Sequence, residues 1–288
     1  MKELSAHAKI SHTANGPALF RTYADIPLSK EILAAAKLLS GGEEIPGREA
    51  LLKLVPFFEA RYRFTDRVLR ESGIKQIFEH AAGLTPRSLM FGMKNSDARC
   101  VEIDLPGEIE IKRNVVEILI EQGTIIRPTN VWFESGNVTD MVALATASRH
   151  FRNEPIAIVN EGLDRYLCLF ERGLKLRHNH DLLSHFGGIY VTTDIPTKPG
   201  MAAINKVLGR DGESELEEKL GFKMSEHYFE NVEEADRFYN RQHFDVKVHS
   251  LAEMMGELAS PNNLGLNLLE VEEMLRSLYA FVLRPRRK

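Results

Sequence analysis

Five short apolar runs, each followed by a stretch of helical character, constrain what this chain can fold into. They are Lys75–His80, Arg99–Asp104, Asn130–Glu134, Ile156–Asn160 and Gly188–Asp194. Ile156-Ala157-Ile158-Val159 is apolar without alternation, as expected of a strand covered on both faces. Strands that alternate with helices predict βαβ units and a parallel sheet. Phe244–Ser250 and Leu278–Leu283 read as two further strands near the C-terminal end. The first 70 residues read instead as helices. One opens at Ser29-Lys30-Glu31 and stops at Gly41-Gly42; a second runs from about Arg48 to Ser72 and closes at Gly73, with a turn at Pro46-Gly47 between them. The expectation is one α/β domain over residues 1–288, with a Rossmann-like seven-stranded sheet and an N-terminal helical cap, residues 1–70, acting as a lid.

Composition narrows the function classes. A chain of 288 residues, 43% of them hydrophobic, can bury a large core without disulfides or a metal. A net charge of −4 argues against a general nucleic-acid binder, and the basic end Arg284–Lys288 reads as a short solvated tail. Cys100 and Cys168 form no C-x-x-C pair and read as buried thiols in a reducing cytoplasm. Neither an apolar leader nor a run near the roughly 20 residues of a membrane span is evident, so the expectation is a cytoplasmic protein without membrane contact. His178, His180 and His185 lie in a stretch that reads as a solvated helix, and no metal is expected. Glu213–Lys219 reads as an exposed charged face.

In an open α/β sheet ligands bind beyond the carboxyl ends of the strands. After the first strand comes Ala81-Ala82-Gly83-Leu84, a small-residue turn before a helix; a turn without any ligand has the same composition. His80, at the end of that strand, is either a hydrogen-bonded strand-end histidine or a polar contact to a ligand. About 20 residues beyond Gly83 stand Glu102 and Asp104, a position from which a carboxylate takes ribose hydroxyls. Asn137 and Val138 follow the third strand, suited to an adenine edge and face, and Glu161-Gly162 follows the fourth.

Beyond these patterns, four segments resemble the leucine carboxyl methyltransferase family, which includes bacterial O-methyltransferases linked to polyketide chemistry. Val101-Glu102-Ile103-Asp104-Leu105-Pro106 with Lys112 is similar to its E-x-D-x-P…K signature. Glu161-Gly162 with Tyr166-Leu167 is similar to E-G-x-x-x-Y-L. Ala60-Arg61 with Asp66 resembles A-R-x-x-x-x-D, and Thr13-Ala14 with Asp25-Ile26-Pro27 resembles the N-terminal T-A…D-I-P. The resemblance implies a class I fold, S-adenosyl-L-methionine as cofactor and O-methylation of a carboxylate or hydroxyl of a small molecule. It implies that Arg61 pairs with the methionyl carboxylate, that Ala81 and Gly83 form the turn under the cofactor, and that Asp104 with Glu102 takes the ribose. Asn137 and Val138 would hold adenine, and Glu161 would line the methionine end. The glycine turn departs from the family's L-G-x-G-x-D-x-R: here it reads His80-Ala81-Ala82-Gly83-Leu84-Thr85-Pro86-Arg87. An alanine at 81 is unfavourable if the backbone there needs φ > 0. Two other readings stay open: a catalytically degenerate methyltransferase fold that only binds, and a nicotinamide-dependent oxidoreductase using the carboxylate after the second strand. Catalytic residues and oligomeric state are not specified by the sequence.

Overall fold

A computed structural model describes residues 15–40, 51–209, 214, 217–218, 221 and 223–286. Its centre is one seven-stranded sheet: β1 Gln76–His80, β2 Arg99–Asp104, β3 Val131–Ser135, β4 Ile156–Asn160, β5 Gly188–Thr192, β6 Phe244–Ser250 and β7 Tyr279–Pro285. The spatial order is β3-β2-β1-β4-β5-β7-β6. The first five strands are parallel, and β7 runs antiparallel to both neighbours. Strand order reverses between β1 and β4, so the crevice for a ligand opens above those two strands.

Helices cover both faces. In chain order they are α1 Asn15–Arg21, α2 Ser29–Ser40, α3 Val55–Ser72, α4 Arg87–Lys94, α5 Pro106–Glu121, α6 Met141–Ala147, α7 Leu169–Phe186, α8 Lys198–Leu208, α9 Val232–Arg241, α10 Ser260–Asn263 and α11 Leu268–Arg276. The side-chain alternation of a strand divides the core into two layers. Ile77, Cys100, Ala157 and Val191 face the layer of α3, α5, α8 and α11. Phe78, Val101, Ile158 and Tyr190 face the layer of α6, α7 and α9. A third small cluster, with Phe20, Ala24 and Val55, joins the N-terminal segment to α3.

All seven expected strands are present. Arg99–Asp104, Ile156–Asn160 and Phe244–Ser250 match to the residue, and the other ends shift by one or two. The helix expected from Arg48 to Ser72 is interrupted: a turn at 53–54 precedes α3, because Pro56 has no N–H to give and its ring clashes with the carbonyl four residues back. Gly73 ends α3 in a left-handed conformation, φ 65°. In the C-terminal stretch Arg284 and Arg286 are solvent-exposed, as expected, but the chain as far as Arg286 is held to the sheet and is not a tail. β7 carries Arg284 and Pro285 in register with Asp245 and Phe244, and Arg286 Nε bonds Asp245 Oδ1 at 2.8 Å. Thr13-Ala14, Gly41-Gly42, Pro46-Gly47 and Arg48, and most of 213–219, lie outside the described residues. Among the described residues no helix is long and apolar enough to cross a membrane. No group of three potential metal ligands gathers there either, although α7 does carry His178, His180 and His185.

Candidate active site

The turn after β1 is the floor of a cleft at the carboxyl ends of the strands. Ala81 N–H donates to the Ile103 carbonyl at 2.8 Å, which fixes the chain as it leaves the strand. Both Ala81 and Gly83 then take φ 49°. Gly83 needs no excuse for this; Ala81 sits in the left-handed region at a steric disadvantage of about 1–2 kcal/mol. The reward is aim: Gly83 N–H donates to Asp104 Oδ2 at 2.7 Å. Leu105 N–H donates to the other carboxylate oxygen at 2.8 Å. Burial raises the pKa of Asp104, and these two amide bonds oppose the rise.

Behind the turn lies a chain of buried charges. Lys112, fully buried on α5, donates to the carbonyls of Gly83 (3.3 Å) and Thr85 and pairs with Glu102 Oε2 at 3.0 Å. Glu102 therefore does not stand beside Asp104 in the cleft. The two share a face of β2, but Glu102 is two residues deeper, buried, and ties Lys112 under the turn. Burial pushes its pKa up to about 7; Lys112 pulls it down and the neighbouring Glu79, directly opposite on β1, pushes it up. Glu79 in turn accepts from Arg87 Nη1 at 2.5 Å and from Ser88 Oγ at 2.9 Å. Arg87 is the hub. It also reaches Asp66 Oδ1 at 3.0 Å and Glu161 Oε2 at 2.8 Å, and lies over the Tyr62 ring. Burial opposes its charge, yet Glu79, Glu161 and Asp66 together raise its pKa well above the ordinary value.

Glu161 carries this chain into the cleft. Burial alone would raise its pKa, but Arg87, Arg21 and Arg61 hold it down at about 2. Arg21, at the end of α1, approaches Glu161 Oε1 at 3.4 Å and lines the cleft from above. Only 6% of Arg21 is exposed, and its Nε is buried without a hydrogen-bond partner among the described residues. At the opposite end of the cleft stand Asn137 and Val138. Asn137 Oδ1 is used by its own turn, accepting from Thr139 N–H at 3.0 Å and Thr139 Oγ1 at 2.8 Å. Gly136 before it allows no side chain: a Cβ there would lie 2.6 Å from Ala143 Cβ and 3.0 Å from an Ile103 methyl.

Of the eight residues the sequence singled out, Ala81, Gly83, Asp104, Asn137, Val138 and Glu161 line this one cleft. Glu102 lies beneath it. Arg61 lines a neighbouring cavity over β5 and β7, with Phe57, Thr193 and Asp194. Gly162, at φ 95°, lies between: a Cβ there would be 2.9 Å from Arg61 Nη2. Arg21 and the hub role of Arg87 were missed. Arg87 closes the glycine-turn motif, which is the one signal that pointed to it; Arg21 is a single cation just after the apolar segment Pro17–Phe20, and nothing in its spacing marks it. His80 takes neither expected role. It is fully buried on the other face of the sheet, with both ring nitrogens unpartnered among the described residues, and burial followed by nearby Lys175 lowers its pKa to about 3.

No family model matches the chain, and no curated protein matches its sequence. Solved structures do. A DUF574 family protein from Streptomyces avermitilis superposes with a TM-score of 0.59 at 13% identity, over 95% of this chain and 97% of the other. Magnesium protoporphyrin IX methyltransferase from Synechocystis, a structure with bound S-adenosylhomocysteine, aligns more weakly, with a TM-score of 0.48 at 10% identity over 88% of this chain and 93% of the other. The chain has a Rossmann-like α/β fold built on one seven-stranded sheet. At these identities the likeness establishes the fold alone.

Proposed function

We propose that the chain is an S-adenosyl-L-methionine-dependent O-methyltransferase of the leucine carboxyl methyltransferase type, acting on a carboxylate or hydroxyl of a small molecule in the cytoplasm. One observation carries the reading: the order of chemistry along the cleft. Asp104 offers its remaining lone pairs where ribose hydroxyls would lie, and Val138 gives adenine an apolar wall. At the far end Arg21 and Glu161 form a cation and an anion side by side, which suits the carboxylate and ammonium of a methionyl group. The orphaned Nε of Arg21 is a buried donor that such a carboxylate would satisfy. Glu161, held charged by its three arginines, stays an acceptor at any physiological pH.

The sulfonium of the cofactor supplies an electrophilic methyl group. The protein's part is to hold both reactants in line and exclude water, which by itself accounts for a large share of the rate. A carboxylate acceptor needs no general base in such a transfer, so the cleft need not supply a nucleophile–base pair.

Titration with S-adenosylhomocysteine tests the reading. Saturable binding and a rise in Tm are expected, since ligand at 100 times Kd adds about 2.7 kcal/mol of stability. NADH should produce neither effect. No binding at millimolar S-adenosylhomocysteine would overturn the reading, and binding of NADH in its place would favour an oxidoreductase. Ala81 in the left-handed region favours a second reading, a fold that binds without turning over. Release of labelled methyl to an organic acid separates the two.

A further inference from the structure

The sheet ends at β3 on one side and at β6 on the other, and the two edges differ. Arg286 N–H donates to the His243 carbonyl at 2.8 Å and Leu251 N–H to the Leu278 carbonyl at 2.8 Å, which continues the β6–β7 register at both ends. In an antiparallel pair the residues that exchange bonds alternate with those that do not. The odd-numbered residues of β6 therefore turn their N–H and C=O groups to β7, and Phe244, Val246, Val248 and Ser250 turn theirs outward. Among the described residues no strand lies on that side. At the β3 edge Asn130 and Gly136 make the bonds to β2, so the Phe133 carbonyl points outward, and Arg113 from α5 donates to it. A side chain caps that edge; no such cap sits on β6 among the described residues.

The side chains of β6 separate by face. Phe244 and Val246 belong to the α7–α9 layer, and Val248, next along the same face, is 39% exposed. Asp245 and Lys247 stand on the other face and are both exposed. Arg286 holds Asp245 from within the chain, yet the Asp245 side chain remains 71% exposed. Lys247 makes no ion pair with a described residue. A lysine on an edge strand ordinarily keeps other strands away; here an aspartate two residues before it carries the opposite charge.

We propose that β6 pairs antiparallel with β6 of a second copy of this chain, about a two-fold axis through Val246, and joins the two sheets edge to edge. An isologous contact of this kind closes at two copies. The outward groups fix the parity of the register, because only even-numbered residues can exchange bonds across it. Charge then selects one register. With the axis at Val246, Asp245 lies opposite the partner's Lys247 and Lys247 opposite the partner's Asp245. Both are pairs of the closer, non-hydrogen-bonded kind, about 4.5 Å between Cα atoms. Moving the axis one residue either way sets Lys247 against Lys247 or Asp245 against Asp245, which is unfavourable. On the other face Val246 meets the partner's Val246 and Val248 lies opposite the partner's Phe244, so both valines lose contact with water. β5 and β7 separate β6 from the crevice above β1 and β4, so the pairing leaves the cleft open and is independent of what the cleft binds.

Sedimentation velocity of the full chain between about 1 and about 100 µM tests this. A monomer–dimer equilibrium is expected in that range. Hydrogen exchange should place it: the amides of Val246 and Val248 should exchange at least about tenfold more slowly at the high concentration than at the low one, while the amide of Lys247, bonded to β7, is unchanged. Lys247→Asp and Asp245→Lys each set like charges across both pairs and should weaken the dimer at least about tenfold. The double variant Asp245→Lys/Lys247→Asp restores opposite charges and should restore the dimer, which separates the charge effect from loss of the Arg286 contact. Val246→Pro removes an outward N–H and no bond to β7, so it should give a monomer even where a charge variant folds poorly. A chain that stays monomeric throughout, or a dimer that survives Lys247→Asp and Val246→Pro, would overturn the proposal. A double variant that dimerises no better than the single ones would overturn the register.

Discussion

Two buried charge networks lie on opposite faces of the same sheet, and they end differently. On the α3–α5 face the chain runs from Lys112 and Glu102 past Glu79 and Arg87 to Glu161 and Arg21, and its last members border the cleft. On the α7–α9 face Asp164 is the hub. It takes hydrogen bonds from Asn160 Nδ2 at 3.0 Å, Tyr239 OH at 2.8 Å and Lys175, and Lys175 also donates to Tyr190 OH at 2.9 Å. Asn160, Asp164, Lys175, Tyr190 and Tyr239 are all fully buried, and none of them borders either cavity. The sealed network anchors the loop after β4 from below; the open one presents charge to whatever enters from above. Buried ion pairs are poor evidence of stability in general, so the informative distinction is where each network stops.

The sharpest break in this comparison is Asp164→Ala. It leaves Lys175 buried without its carboxylate, and removing one partner of a buried pair typically costs 3–5 kcal/mol. Urea unfolding should show a loss of about that size, and a loss below about 1 kcal/mol would mean the sealed network is not a structural clamp. On the open face the expected loss moves from folding to binding. Arg21→Met keeps most of the apolar stem and leaves Arg87 on Glu161 at 2.8 Å, so the loss of stability should be smaller than at Asp164. The Kd for S-adenosylhomocysteine should rise about 10–100-fold, corresponding to roughly 1.4–2.7 kcal/mol. Calorimetric titration reads this directly, and an unchanged Kd would remove Arg21 from the cofactor site.

The two faces also carry opposite pH dependences. Glu102 has its pKa raised in the fold to about 7 from 4.5, so the native state binds a proton the unfolded chain has lost. Its contribution is fullest below 4.5 and fades as pH rises towards 7. His80 is lowered from 6.5 to about 3, so the unfolded chain binds the extra proton. Its contribution is present above 6.5 and fades as pH falls towards 3. Between pH 5 and 6 the two slopes oppose each other, each by up to about 1.4 kcal/mol per pH unit. Relative to wild type, Glu102→Gln should gain stability as pH rises through this window, and His80→Leu should lose it. Measuring the difference from wild type removes the many other titrating groups. Parallel curves for all three proteins would show that neither group is perturbed as described.

What the sequence disclosed follows from the range of the interactions involved. The strands were legible because each is a local apolar run: Ile156–Asn160 needs no partner to be recognised. Four of the strand-end residues were legible because strand order and spacing place Gly83, Asp104, Asn137 and Glu161 at one edge. Glu102 was misplaced because spacing alone does not separate a residue at a strand end from one two positions deeper on the same face. The E-x-D…K pattern acquires a physical sense only in three dimensions: Asp104 receives the turn's N–H, while Glu102 positions Lys112 under the turn's carbonyls. Arg21 was not legible because its partner Glu161 lies 140 residues away, and no local pattern reports a contact of that span; Asp164 has Asn160 and Lys175 only 4 and 11 residues away, but Tyr239, which completes its network, lies 75 residues on.

The smallest expected effect concerns Ala81, where the sequence departs from a glycine. With φ at 49°, its Cβ is held against the following carbonyl at about 1–2 kcal/mol. Glycine would remove that strain but would also gain freedom in the unfolded chain, worth about 0.4–1 kcal/mol in the other direction. Ala81→Gly should therefore stabilise the protein by about 0.5–1 kcal/mol in net terms, visible as a small rise in the urea midpoint at constant m. Because Ala81 N–H is already fixed on Ile103 O and Gly83 N–H on Asp104, the turn is preformed, and the Kd for S-adenosylhomocysteine should change less than threefold. A tenfold tighter Kd with little change in stability would instead show that alanine distorts the cofactor turn, and would favour the reading of this fold as a binder that has lost turnover. A loss of stability would place the alanine methyl among the contacts that hold the open face together.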